Sequence, residues 1–82
     1  MALKEEILAS IIKRAAVVFN KKPDQLSEAT NFYDDLKAKS VNIVQILTVL
    51  EAEYDIEIKY MEFKRKKTFG EAAEFVAQLI EG

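Results

Sequence analysis

Apolar residues recur at helical spacing in three stretches of this chain, and this repeat limits the possible folds more than any other feature. The stretches run from about Leu3 to Phe19, from about Ser40 to Tyr54, and onward from Thr68. Spacings of three and four residues place the apolar side chains on one face of an α-helix. The 82 residues include only 2 Gly and 1 Pro, which is few for the tight turns of an all-β fold. The sequence therefore predicts one all-α domain over residues 1–82, because two domains would each be too small to support a core.

The segments between the helices differ in character. Residues 20–39 are rich in turn-forming residues, and Asn20 is a suitable stop for the first helix. We predict a long, structured loop here, which in a small domain is usually functional. The apolar residues expected to pin this loop to the core are Leu26, Phe32, Tyr33 and Leu36.

The second half of the chain predicts two further features. Residues 55–60 alternate polar and apolar, but a single strand would have no partner, so we expect an extended connection. A short helical turn over 60–64 follows it. Thr68 and Glu71 fit a capping box, in which the threonine oxygen accepts from a backbone N–H and the glutamate reaches back to the N-cap N–H.

The residue types that are missing exclude several kinds of chemistry. The chain contains neither cysteine nor histidine, which excludes a disulfide framework, a thiolate zinc site and a Ser-His-Asp triad. Asp34 and Asp35 are adjacent and have no acid/base partner, while Glu51 and Asp55 are spaced as on a helix surface. We therefore predict no catalytic residue, no metal site and no enzymatic activity.

The charge and hydropathy patterns restrict the partners. The net charge is -2, so there is no overall basic field for nucleic acid. No apolar run approaches the roughly 20 residues of a membrane span, and the N-terminal residues do not resemble a signal peptide. We expect a cytoplasmic monomer with no nucleic-acid partner and no stable membrane insertion.

The most informative local pattern is Asp34-Asp35-Leu36-Lys37-Ala38-Lys39-Ser40-Val41. It ends the long loop and opens the second helix, so Ser40 would lie beside free backbone N–H groups and the positive end of the helix dipole. One interpretation is that Ser40 is only the N-cap residue, since serine is a preferred cap. The other is that its hydroxyl is exposed and receives a phosphate-linked group.

At this pattern the chain resembles the acyl carrier protein family, and the resemblance extends over almost its whole length. The family has an aspartate and a leucine, three further residues, the modified serine, and then a helix that ends in Glu-Glu-Phe-Asp-like residues. Asp35-Leu36, Ser40 and Glu53-Tyr54-Asp55 match this pattern in register, and Thr68 with Ala72-Ala73 matches the last helix.

The resemblance implies a four-helix bundle with three longer helices and a short third helix. It also implies that Ser40 carries 4'-phosphopantetheine, supplied by coenzyme A, whose thiol holds an acyl group as a thioester. The implied partners are a phosphopantetheinyl transferase and acyl-activating and acyl-transferring enzymes. A carrier of this kind needs neither cysteine nor histidine, because the cofactor supplies the sulfur and the partners supply the catalysis.

The chain departs from the family around the serine. The family usually has Asp-Ser-Leu, where this chain has Lys39-Ser40-Val41, and the aspartate helps the transferase to dock. Acids that the second helix normally shows to basic patches on partners are replaced by neutral residues such as Gln45. The residues predicted to contact partners are Lys39, Val41, Gln45 and Glu51. Neutral drift would explain these departures, but we favour a specialised carrier with dedicated partners.

Two further departures concern charge and the acyl chain. Lys64-Arg65-Lys66-Lys67 is either a solvated surface segment or a contact to a partner or membrane surface. In the family the acyl chain lies between helices two and three. Its predicted lining here is Val44, Leu47, Ile58, Phe63, Phe69 and Val76, which could equally be ordinary core. Phe63 replaces a residue that is more often small, so an inward-pointing ring would make the pocket short.

The sequence therefore predicts an acyl carrier protein, modified at Ser40, in a specialised rather than housekeeping lipid pathway such as a branch of fatty acid biosynthesis. One alternative is a peptidyl or aminoacyl carrier of the same fold. Another is an unmodified helical interaction module that kept the fold and lost the cofactor.

Overall fold

Four α-helices and one 3₁₀ turn follow one another in the computed structural model, which describes residues 2–82. Their bounds are α1, Leu3–Val18; the 3₁₀ turn, Pro23–Gln25; α2, Ser40–Tyr54; α3, Tyr60–Phe63; and α4, Phe69–Glu81. Over residues 2–82 no β-strand forms, and the predicted extended connection after α2 is irregular chain. The predicted all-α fold, with a short third helix and a long loop between the first two, is confirmed.

The first helix packs against both α4 and α2. Ile7, Ile11 and Ala15 are fully buried, as the spacing of four residues predicts. Glu5 and Glu6 lie in the first turn, where the helix dipole favours negative charge. The helix ends two residues before Asn20, which has a φ of 56°, a left-handed conformation that asparagine tolerates better than most residues. Asn20 is thus the stop that the sequence predicts.

The second helix is divided between the core and the surface. Its buried residues are Ile43, Ile46, Leu47 and Leu50. Val41 and Val44 are exposed, so the wide apolar arc of this helix serves both the core and an open face. Asp55 follows with a φ of 53° and ends the helix.

The long loop is held to the core by its aromatic and aliphatic side chains, as predicted. Leu26 and Phe32 are buried, and Tyr33 and Leu36 pack against the core while partly exposed. The Phe32 ring lies 4.7 Å from the Phe69 ring and 6.3 Å from the Phe63 ring, measured between centroids. Aromatic pairs at these separations contribute about 0.5–1.5 kcal/mol each beyond their buried area. One loop residue therefore joins α3 and α4.

Backbone hydrogen bonds tie the same part of the loop to the start of α4. The Phe32 amide donates to the Lys67 carbonyl at 2.8 Å, and the Phe69 amide donates to the Thr30 carbonyl at 3.0 Å. The Gly70 amide donates to the Glu28 carbonyl at 2.9 Å. A Cβ atom at position 70 would lie 3.1 Å from that carbonyl oxygen, so glycine permits the close approach.

The start of α4 confirms one half of the predicted capping box and corrects the other. Thr68 is the N-cap, and its hydroxyl oxygen accepts from the Glu71 amide at 3.1 Å. The Glu71 carboxylate, however, accepts from the Lys67 amide at 3.1 Å, one residue earlier than the box predicts. This one-residue change in the Glu71 contact accompanies the pairing of Thr68 with Asn31 in an isolated antiparallel bridge.

We predict that Thr68→Ala destabilises the fold by about 0.5–2 kcal/mol, because the Glu71 amide loses its capping acceptor. Urea titration followed by circular dichroism measures the loss. Thr68→Ser keeps the hydroxyl and should retain most of the stability. Equal losses of stability in Thr68→Ser and Thr68→Ala would show that the capping hydroxyl contributes nothing.

Candidate functional site

The Ser40 hydroxyl lies at the N-terminus of α2, in the first helical position. Its residue is exposed, and within residues 2–82 its hydroxyl makes no hydrogen bond. Lys39, not Ser40, occupies the N-cap position, with a φ of -105° and a ψ of 168°. The interpretation of Ser40 as merely a capping residue is therefore wrong for this structure, and its hydroxyl is left free for chemistry.

The capping that does occur comes from a residue that the sequence did not single out. The Asn42 side-chain oxygen accepts from the Lys39 amide at 2.9 Å. The Asn42 and Ile43 amides donate to the Lys39 carbonyl at 2.9 and 3.1 Å. This leaves the Ser40 and Val41 amides without a hydrogen-bond partner among residues 2–82.

The two free amides are the observation that decides whether the site fits a phosphate-linked group. Unpaired N–H groups at a helix N-terminus, together with the dipole, stabilise an anion next to them. No carboxylate lies in the first turn of α2, so no negative side chain competes for the position. The arrangement around the Ser40 hydroxyl fits a phosphodiester at that oxygen.

The loop before α2 fixes the position of Ser40. The Ala38 amide donates to the Phe32 carbonyl at 2.9 Å, and the Lys37 amide donates to the Tyr33 carbonyl at 3.1 Å. Lys37 has a φ of 53°, so the chain turns sharply three residues before the serine. Because Phe32 is buried in the core, the serine is held by a rigid support rather than by a free loop.

Polar side chains reinforce this support. The Asp35 carboxylate accepts from the Asn31 amide at 2.8 Å. The Asn31 side-chain oxygen accepts from the Tyr33 and Asp34 amides at 2.8 and 2.9 Å. Asp35 is part of the motif that carries the family resemblance, and here it stabilises the loop. Asparagine side chains often accept hydrogen bonds from backbone amides in turns, so Asn31 is the sequence feature that would have indicated this support of the loop.

Tyr33 links the loop to the segment after α3. Its hydroxyl donates to the Lys64 carbonyl. Burial raises the pKa of the Tyr33 phenol above its ordinary value, and the neighbouring Tyr60 raises it further. The phenol therefore stays protonated and remains a donor at neutral pH.

The residues predicted to contact partners do not lie in equivalent environments. Lys39, Val41 and Gln45 are exposed on the first turns of α2. Glu51 is half-buried, and its carboxylate accepts from the Ile58 amide at 2.8 Å. Its predicted partner contact remains a prediction, with one carboxylate oxygen already engaged within the chain.

The predicted lining of the acyl pocket lies mainly in the core. Leu47, Ile58, Phe63, Phe69 and Val76 are buried, whereas Val44 is 41% exposed. Phe63 points inward with 1% exposure and packs against the Phe32 ring. A pocket for an acyl chain among these residues remains a prediction, and opening one would require the packed side chains to move.

Two other features of the structure bear on function. Among the described residues, no three carboxylates or other ligating side chains converge on one point. No helix within residues 2–82 combines the length and the apolar character of a membrane span.

Comparisons with known proteins agree with this geometry. Residues 6–76 match the family described as "Phosphopantetheine attachment site". The acyl carrier protein of Lactobacillus acidophilus is 36% identical to this chain, over 89% of the chain and 91% of the relative. Those of Sulfurovum sp. and Caulobacter vibrioides are each 30% identical, covering 93% and 89% of the chain and 96% and 94% of the relatives.

The chain therefore belongs to the acyl carrier protein family, whose members are carriers and not catalysts. The family's covalent cofactor is 4'-phosphopantetheine, as the resemblance implied.

We predict that Glu51→Ala destabilises the fold by about 1.5 kcal/mol, because the Ile58 amide loses a charged acceptor in a half-buried position. Chemical denaturation followed by circular dichroism gives the difference. Glu53→Ala is the matched control, since Glu53 is exposed on the same helix and should change stability by less than about 0.5 kcal/mol. Similar losses for the two variants would contradict a structural role for the Glu51 carboxylate.

Proposed function

We propose that this protein is an acyl carrier that receives 4'-phosphopantetheine on the Ser40 hydroxyl. The exposed, unbonded hydroxyl at the start of α2, with two free amides beside it, carries the proposal. The bound cofactor supplies a thiol that holds an acyl group as a thioester. Ser40 provides the attachment oxygen, the Ser40 and Val41 amides favour the phosphodiester, and the Phe32 segment keeps the site in place.

We further propose that the carrier domain spans residues 1–82 and acts as a cytoplasmic monomer in a specialised pathway. Its partners are a phosphopantetheinyl transferase and enzymes that activate or transfer acyl groups. Asn42, Gln45 and Ala52 on α2 are neutral where housekeeping carriers show acids, and Gln45 and Ala52 are exposed. A neutral face supports dedicated partners, because the usual basic docking patches would find little negative charge on it.

The packing around Phe63 supports a short acyl chain. Phe63, on α3, is buried, Phe32 of the loop lies against it, and α3 packs against α2. A long chain entering between α2 and α3 would have to displace both rings from the core. We infer that the carried acyl group is short or remains largely outside the bundle.

We predict that Ser40→Ala abolishes cofactor attachment while leaving the helical content unchanged. Intact-mass measurement after incubation with coenzyme A, magnesium and a transferase detects the attachment, and circular dichroism checks the fold. The wild type should gain the mass of one phosphopantetheine group, and an unmodified interaction module would gain none. Ser10→Ala, on α1, is the control and should be modified like the wild type. A mass gain that survives Ser40→Ala would refute the assignment.

We also predict that a housekeeping transferase modifies the wild type slowly and Lys39→Asp faster. Lys39 is exposed next to the serine and places a cation where the family has the acid that helps the transferase to dock. The acid also suits the helix N-terminus, where a cation costs about 0.3–1 kcal/mol. Initial rates of mass gain at limiting transferase test this. Wild-type modification as fast as that of an acidic carrier would show that the charge at position 39 is unimportant.

A further inference from the structure

Positive charge is concentrated in two segments, one that contains Ser40 and one that includes α3. Residues 37–50 contain two lysines and no acid, and residues 59–67 contain five cations and one acid. These segments together carry a charge of +6, although the net charge of the chain is -2. The rest of the chain therefore carries -8, and its acids nearest to Ser40 in sequence are Asp34 and Asp35, in the loop before Lys37.

The fold brings the two basic segments to the same piece of the loop. Ala38 is hydrogen-bonded to Phe32, and Phe32 in turn to Lys67. Tyr33 also joins the two segments. Its carbonyl accepts from the Lys37 amide, and its hydroxyl donates to the Lys64 carbonyl. The lysines before Ser40 and the basic run after α3 thus lie on either side of residues 32 and 33. In the sequence, Lys39 and Lys64 are 25 positions apart.

Most of this charge has no ion-pair partner within residues 2–82, although Lys66 lines a groove that also contains Glu71 and Glu74. The ion pairs within residues 2–82 involve Lys4 with Glu28 and Glu74, at 3.9 Å each, and none involves a cation of the two segments. Lys64 and Lys66 lie over the rings of Tyr60 and Phe75, contacts that leave their charge uncompensated. Repulsion between the uncompensated cations would be relieved by a negatively charged surface.

Apolar side chains are exposed on the same two elements. Val41 is 59% exposed and Val44 41%, one turn apart on α2 and next to Ser40. Met61, on α3, is 55% exposed, and α3 packs against α2. Exposed apolar residues among charged ones are typical of protein interaction sites, and methionine is common at such surfaces.

We propose that the basic and apolar surface around Ser40, formed by residues 37–45 and 59–67, docks proteins that present an apolar patch bordered by aspartate and glutamate. The proposal rests on Ser40 being the attachment site. The transferase that attaches the cofactor must reach the Ser40 hydroxyl, so at least this protein partner has to meet the surface around it. The charge pattern is the reverse of an acidic carrier that docks on basic patches.

A lipid surface is the competing partner class. Anionic lipids also attract clustered lysines. The short α3, of four residues, and the two neighbouring valines of α2 do not provide the broad apolar face that an interfacial helix inserts. The observations therefore favour a protein.

The test uses a phosphopantetheinyl transferase whose carrier-docking surface is basic, and a variant of it with those docking cations changed to glutamate. With the basic enzyme, modification of the wild-type carrier should accelerate as salt is added, because salt screens repulsion. With the acidic variant it should slow. Arg65→Glu should raise the rate with the basic enzyme by roughly three- to tenfold at low salt, since charge complementarity acts on association.

Lys13→Glu is the matched control, because it makes the same charge change on an exposed residue of α1. Lys13 lines a groove with Val49 and Glu53, and Glu53 is thirteen positions, or roughly 20 Å, along α2 from Ser40. It should alter the rate much less than Arg65→Glu. Equal effects of the two variants, or a wild-type rate that falls with salt with the basic enzyme, would overturn the proposal.

Two added measurements separate the possible failures. Equilibrium binding of the unmodified carrier to both transferases reports docking even if Ser40 is never modified, whereas the final mass gain reports attachment even if docking is unselective. Co-sedimentation with phosphatidylcholine vesicles, with and without phosphatidylserine, reports lipid binding. Sedimentation only with phosphatidylserine, combined with no preference between the transferases, would assign the surface to a membrane instead.

Discussion

The insertion of Phe32 into the core is the interaction on which the rest of this structure depends. Its ring contacts the rings of Phe63 and Phe69, and its backbone joins the segments on both sides. The Phe32 carbonyl accepts from Ala38, just before α2, and its amide donates to Lys67, just before α4. One buried loop residue therefore fixes the starts of two helices. A hydroxyl at the first position of α2 can be both exposed and well positioned because its support is part of the core.

The two faces of the second helix have different roles: one stabilises the fold and the other serves function. Its buried face, on which Ile46 and Leu50 have no exposed surface, anchors the helix to α1. Its open face presents Ser40, Val41 and Gln45. Substitutions on the open face should leave the core intact, so partner preference can change without loss of the fold. The Glu51 carboxylate is the exception, because it reaches from the helix to the Ile58 amide and couples the open side to the connection before α3.

Local sequence patterns predicted the helices and the register of Ser40 but not the hydrogen bonds around them. Apolar periodicity depends only on neighbours three and four residues away, so α1, α2 and α4 could be placed closely. The hydrogen bond of the Glu51 carboxylate to Ile58, and that of the Glu71 carboxylate to Lys67 instead of Thr68, depend on how distant segments pack together. The N-cap at Lys39 was missed for a different reason. Serine is the better intrinsic cap, but the backbone turns one residue earlier, and Asn42 satisfies the amide that this leaves.

The distribution of charge shows why a net value describes a small carrier poorly. A net charge of -2 argues against a basic field over the whole molecule, yet the two segments beside Ser40 carry +6. At physiological ionic strength the Debye length is about 8 Å, which is short compared with the 31 Å length of this molecule. A partner approaching the serine is therefore influenced by the nearby lysines and by Asp34 and Asp35 in the preceding loop, and only weakly by charges more than a Debye length away. Local charge, rather than the overall balance, determines which surfaces can reach the attachment site.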